Sequence, residues 1–435
     1  MKKSVSFFIL GCVVFLFGCD SGTEIMPSLH IDVIGDEEMF VERNLRIDSL
    51  LTIENGLFEF DEIPAMVRGR GNSTWNLGED KRPLRFRLDE PVDFFGDDRP
   101  DRDWILLANN FDRSLLRNHA ALYLGGLMSG LEWTPRTQFL HLYVNGEYMG
   151  VYQLTDEREE TVNRLNLVSD VDPTISEFFL ELDGRASWDG AIRDVEFFTA
   201  GLRDYDIRYP DPDDDNGHAV YAKEYIQRVS DAIMAGDFET LTGLIDMDSF
   251  VDFYLVQELV KNIDVWHLSV FMYIRGQGEE RRLFLGPLWD FDLSAGNARR
   301  TEAALESYRN HPHSPYSLAY RTPYLDHEAY GLFAGLYNYW FYYLLDMPEF
   351  RALVRDRWND IIEDEVPQML AELERMVTVF EDDFLRNFER HPILGIRRWR
   401  SPDHINEIET HEEQVNHLLD WFDRRIAWLT DYFNE

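Results

Sequence analysis

The sequence predicts an α+β fold of two lobes, with a strand-rich N-terminal lobe over residues 29–219 and a helix-rich C-terminal lobe over residues 220–435. Three observations predict it. Short runs in the first part alternate polar and apolar residues, with Gly and Asp between the runs. Beyond residue 220, apolar residues recur at spacings of three and four, which is typical of helices. A chain of 435 residues can bury a large core, either as one domain or as two lobes that share a cleft, and we expect two lobes.

Several segments of the first part are predicted as strands because their apolar residues recur with a period of two or form short buried runs. They are Leu29–Val33, Leu57–Phe60, Lys81–Leu88, Trp104–Ala108, Phe139–Val144, Tyr148–Thr155 and Phe178–Leu182. The Asn145-Gly146 dipeptide between two of them is a strong hairpin signal. Asp112 is predicted to cap a helix that continues through Leu124.

The second part is predicted to be helical, with a strand pair inside it. Helices are expected at Tyr221–Ala235, Phe238–Ile245 and Met247–Val260, and again from Phe333 onward except around Pro392–Pro402. Strands are expected at Val270–Ile274 and Leu283–Leu288, around a Gly-rich turn.

The first residues have the pattern of a secretory signal. Two lysines precede the apolar run Val5–Phe17, which is too short to span a bilayer comfortably and ends at Gly18-Cys19. The run resembles the lipobox of bacterial lipoproteins. We therefore expect residues 1–18 to be a lipoprotein-type signal peptide, Cys19 to be lipidated, and residues 19–28 to be a tether. A plain signal peptide or a retained anchor are the alternatives.

Composition narrows the classes of partner. The formal net charge of −39 argues against nucleic acid and against anionic membrane surfaces, which leaves the lipid anchor as the contact with a membrane. Both cysteines, Cys12 and Cys19, lie in the predicted leader, so the folded part has neither a disulfide framework nor a thiolate metal site.

Lysine is scarce. Beyond the leader the only lysines are Lys81, Lys223 and Lys261, whereas arginine is plentiful, so a lysine that is kept is a candidate for a role as a compact point charge.

Two features near the N-terminus are candidates for phosphate binding. The turn Arg68–Trp75 combines glycines, hydroxyls and arginines, so its backbone N–H groups could meet phosphate oxygens. The alternative is a tight turn that needs glycine for its dihedral angles. Lys81 shares its strand parity with Arg85 and Arg87, which predicts a lysine on the polar face of the strand. There it would either pair with nucleotide phosphates or remain solvated.

The strongest site signal is a pair of acidic segments, Lys261–Asp264 and Pro287–Asp292. The first follows a predicted helix end and the second a predicted strand end, where the backbone could hold carboxylates toward a shared cleft. Protein kinases use such carboxylates to accept a hydroxyl proton and to hold magnesium. Acidic residues at the ends of elements are also common as helix caps and turn formers, which is the alternative.

Five motifs in a consistent order resemble the spore coat protein H (CotH) kinase family. They are Arg68–Trp75, Lys81–Pro83, Trp104–Arg117, Val144–Gly146 with Gly150–Tyr152, and Trp289–Asp292. The likeness covers about residues 60–435. It implies an atypical protein-kinase-like fold that uses ATP with Mg²⁺ or Mn²⁺ and acts at spore coats or cell surfaces.

The resemblance also implies roles for single residues. Lys81 is similar to the phosphate-binding lysine, Asp264 to the catalytic-loop aspartate and Asp290 to the metal-binding aspartate, with Asp292 as a second metal ligand. Ser269 lies five residues after Asp264, where the kinase pattern has a metal-binding asparagine. A serine there would bind the second metal weakly or through water.

The remaining predicted nucleotide contacts are Asp156, Glu157, Arg70 and Trp289. The family usually has a glutamate to orient the lysine, whereas this chain has Asp156 at that position, followed by Glu157. Arg70 lies in the glycine-rich turn. Trp289 is expected either in the core or against the adenine.

These residues predict an enzyme that transfers the γ-phosphate of ATP to a Ser or Thr hydroxyl of an envelope or surface protein. Asp264 would orient the hydroxyl and Asp290 would hold the metal. The alternative is a catalytically silent surface protein that serves adhesion or envelope assembly. The departures at Asp156 and Ser269 favour the silent protein, and the retained Lys81 with the two aspartates favours the enzyme.

Overall fold

The computed structural model describes residues 24–57, 59–78, 81–184, 197–211, 217–265, 267–298, 328–334, 338–398 and 401–435. Over these residues the chain has the predicted α+β composition, with most strands in the N-terminal part and most helices in the C-terminal part. The predicted signal peptide and Cys19 lie outside the described residues. Among the helices that are described, none has both the length and the apolar composition to cross a membrane.

The strands form two sheets. The first contains β1 (Ser28–Val33), β2 (Ile47–Glu54), β3 (Phe60–Gly69), β4 (Leu84–Val92), β5 (Asp101–Leu107), β6 (Thr137–Val144) and β7 (Glu147–Asp156). The second contains β8 (Phe178–Leu182), β9 (Phe197–Ala200), β10 (Arg203–Tyr209), β11 (Val270–Arg275) and β12 (Arg282–Leu285).

The described helices lie mostly after the first sheet. They are α1 (Ser73–Leu77), α2 (Arg117–Leu127), α3 (His218–Ala235), α4 (Phe238–Thr242), α5 (Met247–Leu259), α6 (Tyr339–Leu344), α7 (Pro348–Ile361), α8 (Glu365–Val379), α9 (Glu381–Arg390), α10 (Asp403–Asn406) and α11 (His411–Asn434). A 3₁₀ turn spans Gly278–Glu280.

The first sheet closes into a barrel in the order β1-β2-β3-β4-β5-β7-β6. All neighbours are antiparallel except β1 and β6, whose parallel pairing closes the barrel. Period-two alternation places one face of each strand inside, as in β2, where Ile47, Leu51 and Ile53 are buried. Because the barrel is closed, its seven strands leave no long edge exposed to solvent.

The hairpin of β6 and β7 confirms the prediction made from Asn145-Gly146. Asn145 has φ 49° and Gly146 has φ 78°, the pair of positive angles that a two-residue hairpin turn of the favoured kind requires. The Asn145 side chain also accepts a hydrogen bond from the Val33 backbone N–H at 2.8 Å. The turn therefore fixes both the hairpin register and the end of β1.

The second sheet has the order β12-β11-β8-β10-β9 and takes strands from both sides of residue 220. Its centre is β8, which pairs with β10 on one side and with β11 on the other. The predicted strand pair of β11 and β12 is confirmed. At residue 220 the chain changes from mostly strands to mostly helices. The second sheet nevertheless contains strands from both parts.

The predicted strand Leu57–Phe60 is wrong, because β3 begins at Phe60, and strands β2, β9 and β10 were not predicted. Two further boundaries also differ from the structure. Residues 24–28 are not a free tether, because Met26 is only 1% exposed and the Pro27 carbonyl accepts a hydrogen bond from the His141 N–H at 2.8 Å. Helix α2 begins at Arg117, later than the position of Asp112 predicts. Asp112 still accepts a hydrogen bond from the Arg117 N–H, at 2.8 Å, from a turn that precedes the helix.

A buried ion pair joins α5 to α11. Arg425 donates to the Glu258 carboxylate at 2.7 Å, and both side chains are fully buried. The same guanidinium donates to the Glu258 and Gly331 backbone carbonyls, each at 2.7 Å. Because both charged groups are buried away from water, removing one of them would leave the other charge uncompensated.

We expect Arg425→Met to lower the free energy of unfolding by about 3–5 kcal/mol, since it leaves the Glu258 carboxylate buried without its cation. The neighbouring Arg424 forms an exposed pair with Asp420 at 2.8 Å, so Arg424→Met should change stability by less than about 0.5 kcal/mol. Chemical denaturation of the wild type and both variants measures this difference. Equal losses in the two variants would contradict the role given to the buried pair.

Candidate active site

The two acidic segments meet around Asn262. Asp264 follows α5 and Asp290 follows β12, as the sequence predicts for the ends of a helix and a strand. The Asn262 side chain donates to the Asp290 carbonyl at 3.3 Å and accepts a hydrogen bond from the Asp264 N–H at 3.1 Å. Asn262 was not singled out from the sequence. Its only signal there was its position two residues before Asp264.

The carboxylates of this cleft repel one another. Asp292 is 7% exposed, and burial together with the charges of Asp290, Asp264 and Asp112 raises its pKa well above the usual range. A cation near these carboxylates would offset their mutual repulsion.

Ser269 orients Asp290. Its hydroxyl donates to Asp290 Oδ2 at 3.0 Å. Both residues have a left-handed backbone, with φ 55° at Ser269 and φ 71° at Asp290, which is uncommon for residues other than glycine and occurs preferentially at functional sites. In this conformation the hydroxyl predicted to bind a metal is committed to the carboxylate beside it.

The described residues do not form a ready-made metal cage. No group of three or more His, Cys, Asp or Glu side chains within them is placed to hold a metal ion. Magnesium is commonly held by one or two protein carboxylates together with water and substrate phosphates. Asp290 and Asp292 supply the oxygen ligands that Mg²⁺ or Mn²⁺ prefers, and they fit a site of this open kind.

Lys81 does not lie on the polar face of a strand. Strand β4 begins at Leu84, which pairs with Gly69 at the end of β3, so Lys81 precedes the strand. Lys81 is instead 2% exposed. Its Nζ donates to the Val151 carbonyl at 2.5 Å and lies 4.9 Å from the centre of the Tyr152 ring. Burial lowers the pKa of Lys81 to about 7.

The predicted ion pair between Lys81 and Asp156 is not formed. Asp156 is fully buried and pairs with Arg136 at 2.7 Å and with Arg164 at 3.6 Å. Across the described residues, no carboxylate lies within 4.0 Å of Lys81 Nζ. The acidic side chain that contacts the cleft is the next residue, Glu157.

Glu157 is the centre of an arginine cluster. It pairs with Arg85 at 3.2 Å and with Arg158 at 3.1 Å. Burial raises the pKa of Glu157, but the charges of Arg158, Arg85 and Arg70 lower it to about 2. Glu157 is therefore ionised at all physiological pH values.

Arg70 and Arg158 both lie over the Trp289 ring. The guanidinium carbons are 5.2 Å and 4.0 Å from the ring centre, and Trp289 is 5% exposed. Such contacts between a cation and an aromatic ring are favourable. Trp289 is therefore a core residue that carries two arginines, and in this conformation its ring has little surface left for an adenine.

Arg70 is the cation with the least compensation in the cleft. No carboxylate of the described residues lies within ion-pair distance of it. Burial and the neighbouring Arg158 lower its pKa to about 10, while Glu157 and Asp290 oppose that change. Arg70 therefore remains charged at neutral pH, and an anion beside Asp290 and Trp289 would supply the missing negative charge.

The glycine-rich turn positions Arg70. It falls between β3 and α1, and Gly71 has φ 80°, which supports the prediction that glycine serves the dihedral angles of the turn. A Cβ at Gly69 would lie 2.2 Å from the Trp75 ring, so the close packing of these two residues requires glycine at position 69. Arg43 donates to the Gly71 carbonyl at 2.9 Å and stabilises the turn from outside.

The family model described as CotH kinase protein matches residues 67–429, nearly the whole chain, which confirms the resemblance seen in its motifs. No curated protein sequence matches the chain.

The burial of Lys81 predicts a pH dependence of stability. An unfolded lysine has a pKa of about 10.4, so between about pH 7 and pH 10 the unfolded chain binds more protons than the folded one, and stability rises with pH. We expect Lys81→Met to reduce this rise in Tm. Thermal unfolding from pH 6 to pH 10 measures it, with exposed Lys223→Met as the control. Parallel Tm curves for Lys81→Met and the wild type would show that Lys81 is charged in the folded protein.

Proposed function

We propose that this chain, which belongs to the CotH kinase family, transfers the γ-phosphate of a metal-bound nucleotide to a hydroxyl group. The observation that carries the proposal is the proximity of two kinds of charge. Arg70 and Arg158 offer positive charge for phosphates over Trp289, and the next residue, Asp290, belongs to a carboxylate pair suited to a divalent metal. Phosphoryl transfer needs both, because catalysis depends on positioning and on neutralising phosphate charge.

The arginines are proposed as the phosphate-binding groups. Arg70 lacks a carboxylate of its own among the described residues, and Arg158 shares Glu157 with Arg85. A guanidinium can donate two parallel hydrogen bonds to phosphate oxygens. In this arrangement Glu157 orients the arginines, as the glutamate of other kinases orients a lysine. Lys81, whose Nζ donates to the Val151 carbonyl, would act only if this contact were broken.

Asp290 and Asp292 are proposed to hold Mg²⁺ or Mn²⁺ against the nucleotide phosphates. The ion would supply positive charge that neutralises the phosphoryl oxygens during transfer. Asn262 and Ser269 keep Asp290 in place through its carbonyl and its carboxylate. Burial and the acidic neighbours of Asp292 raise its pKa, and a cation held there would offset the repulsion between these carboxylates.

Asp264 is proposed to orient the acceptor hydroxyl and accept its proton. It shares the cleft with Asp290 and contributes to the raised pKa of Asp292. Its backbone N–H is fixed by Asn262, which also contacts the Asp290 carbonyl. The acceptor is proposed to be a Ser or Thr hydroxyl of an envelope or surface protein, reached by an enzyme held to the membrane through a lipid on Cys19.

A catalytically silent surface protein is the second candidate. Two observations favour it. Lys81 is turned to a backbone carbonyl instead of a carboxylate, and the described residues form no preassembled metal cluster. In that case the fold would serve adhesion or envelope assembly without turnover.

Substitutions at the two aspartates separate binding from transfer. We expect Asp290→Asn to weaken metal-dependent ATP binding, because a metal ligand acts in the ground state, and Asp264→Asn to leave binding nearly intact while lowering transfer at least 100-fold. Calorimetric titration of MgATP and a radiolabelled autophosphorylation assay measure the two effects.

Asp423→Asn, on the exposed face of α11, is the control and should match the wild type in both assays. Equal losses of binding in Asp290→Asn and Asp264→Asn would show that the two roles are misassigned. Wild-type transfer by both variants, or no transfer by the wild type, would favour the silent protein.

The proposed anchor predicts a specific mature N-terminus. If the signal is of the lipoprotein type, intact-mass analysis of protein extracted from its native membrane should give a chain that begins at a diacylated Cys19. Cys19→Ala should release the protein from the membrane fraction. An unmodified N-terminus at another residue would contradict the lipid anchor without affecting the catalytic proposal.

A further inference from the structure

Four buried side chains hold the backbone of residues 290–294, the segment that carries both carboxylates proposed to bind the metal. The contacts are Asn262 Nδ2 to the Asp290 carbonyl at 3.3 Å, the Phe291 N–H to Asn118 Oδ1 at 2.8 Å, Asn297 Nδ2 to the Asp292 carbonyl at 2.6 Å, and Arg117 Nε to the Ser294 carbonyl at 3.1 Å. The segment is therefore fixed before, between and after the two aspartates.

The first turn of α2 supplies two of these four contacts. Arg117 and Asn118 are its first two residues, and they bond to the segment on either side of Asp292. The Phe291 N–H that Asn118 binds lies between the two aspartates in the sequence. The start of α2 thus fixes the position of Asp292 relative to Asp290.

Asn118 is itself held in one orientation. The Phe291 N–H can only donate, so the Asn118 atom that faces it is the oxygen. Asn118 Nδ2 then donates to Asn109 Oδ1 at 3.0 Å, and Asn109 Nδ2 donates in turn to the Leu115 carbonyl at 3.2 Å. Because Asn118 accepts on one side and donates on the other, an amide serves this position, and its side chain has no freedom to turn.

A rigid pair of carboxylates discriminates between divalent cations. Mg²⁺ demands near-ideal octahedral geometry with oxygens at about 2.0–2.1 Å, whereas Ca²⁺ takes six to eight oxygens at about 2.3–2.6 Å in a flexible arrangement. Within the described part of the chain, no larger cluster of acidic or His side chains could complete a calcium shell. Two fixed carboxylates, completed by water and phosphate oxygens, therefore suit Mg²⁺, and a loosened pair would adapt better to the larger ion.

We propose that Asn118 is a positioning residue that makes the site select Mg²⁺ over Ca²⁺, because it fixes Asp292 relative to Asp290 through the Phe291 N–H. The inference rests on the proposed function and adds the metal specificity of the same site. In this role Asn118 acts on the backbone of the segment and contacts neither the metal nor the nucleotide.

Asn118→Ala tests the proposal by a contrast between two metals. It removes both hydrogen bonds of the side chain, so the affinity for MgATP should fall at least about 10-fold, the usual effect of losing a group that orients a metal ligand. The affinity for CaATP should fall less than about 3-fold, because Ca²⁺ tolerates a displaced carboxylate. The affinity for ATP in EDTA should not change. Calorimetric titrations with the three ligands measure these effects.

Asn387→Ala is the matched control. Asn387 on α9 is also buried, and its Oδ1 accepts a hydrogen bond from a backbone N–H, that of Val151, at 3.1 Å. Its loss should lower the Tm of the free protein and leave the ratio of MgATP to CaATP affinity unchanged. Asn118→Asp keeps an acceptor oxygen for the Phe291 N–H, so it should restore the preference for MgATP that Asn118→Ala loses.

Asn109→Gly tests the same chain of contacts if Asn118→Ala does not fold. Asn109 has a φ of 48°, which glycine adopts without strain, and its loss removes the acceptor for Asn118 Nδ2 without touching the metal segment. The ratio of MgATP to CaATP affinity should fall in the same direction as in Asn118→Ala.

Each result has a definite consequence. If Asn118→Ala and Asn109→Gly lower both affinities by the same factor, or lower neither, or if Asn387→Ala changes the ratio as much, the selectivity role is refuted while the proposed function stands. A wild type that binds CaATP as tightly as MgATP refutes it in the same way. If the wild type binds neither complex, the proposed function and this inference both fail.

Discussion

The conformation of Asp290 is the constraint on which the candidate site depends. A left-handed backbone is unfavourable for an aspartate, so surrounding contacts must stabilise it. Asn262 holds its carbonyl, Ser269 holds its carboxylate, and Asn118 holds the N–H of the residue that follows. Asn262 and Ser269 lie in the loop between α5 and β11, and Asn118 lies on α2. The carboxylate therefore reaches its position only when α2 has packed against this loop.

The chemistry of arginine explains why the cleft is built with it. Burial lowers the pKa of Lys81 to about 7, so a lysine at such a site is only partly charged at neutral pH. Arg70 keeps a pKa of about 10 under comparable conditions. Its planar guanidinium also stacks on Trp289, which an ammonium does less well. In a strongly acidic chain with few lysines, arginine is the cation that stays charged beside Asp290.

The successful predictions rested on local signals. Asn145-Gly146 specified its hairpin because two positive φ angles are needed in adjacent residues. The two acidic segments were expected to converge because each follows the end of an element, and Asn262 joins them as that placement requires. The glycine-rich turn was also predicted, although the packing of Gly69 against Trp75 was not.

The failed predictions concerned partners that are distant in sequence. The parity of Lys81 suggested a position within a strand, but β4 begins only at Leu84, and the lysine is buried. Asp156 was expected beside it and instead pairs with Arg136, twenty residues away.

The sequence alone determined the family, the division into a strand-rich first part and a helix-rich second part, and the two acidic segments, because each depends on residues that are neighbours along the chain. Only the tertiary structure decided which opposite charge each buried group meets. In this chain many arginines and carboxylates could pair, and the ones that do are chosen by the closure of the barrel and by the packing of its outer wall. Among the residues described, this packing gives Arg70 no carboxylate partner. The proposed phosphate site follows from that lack of a partner.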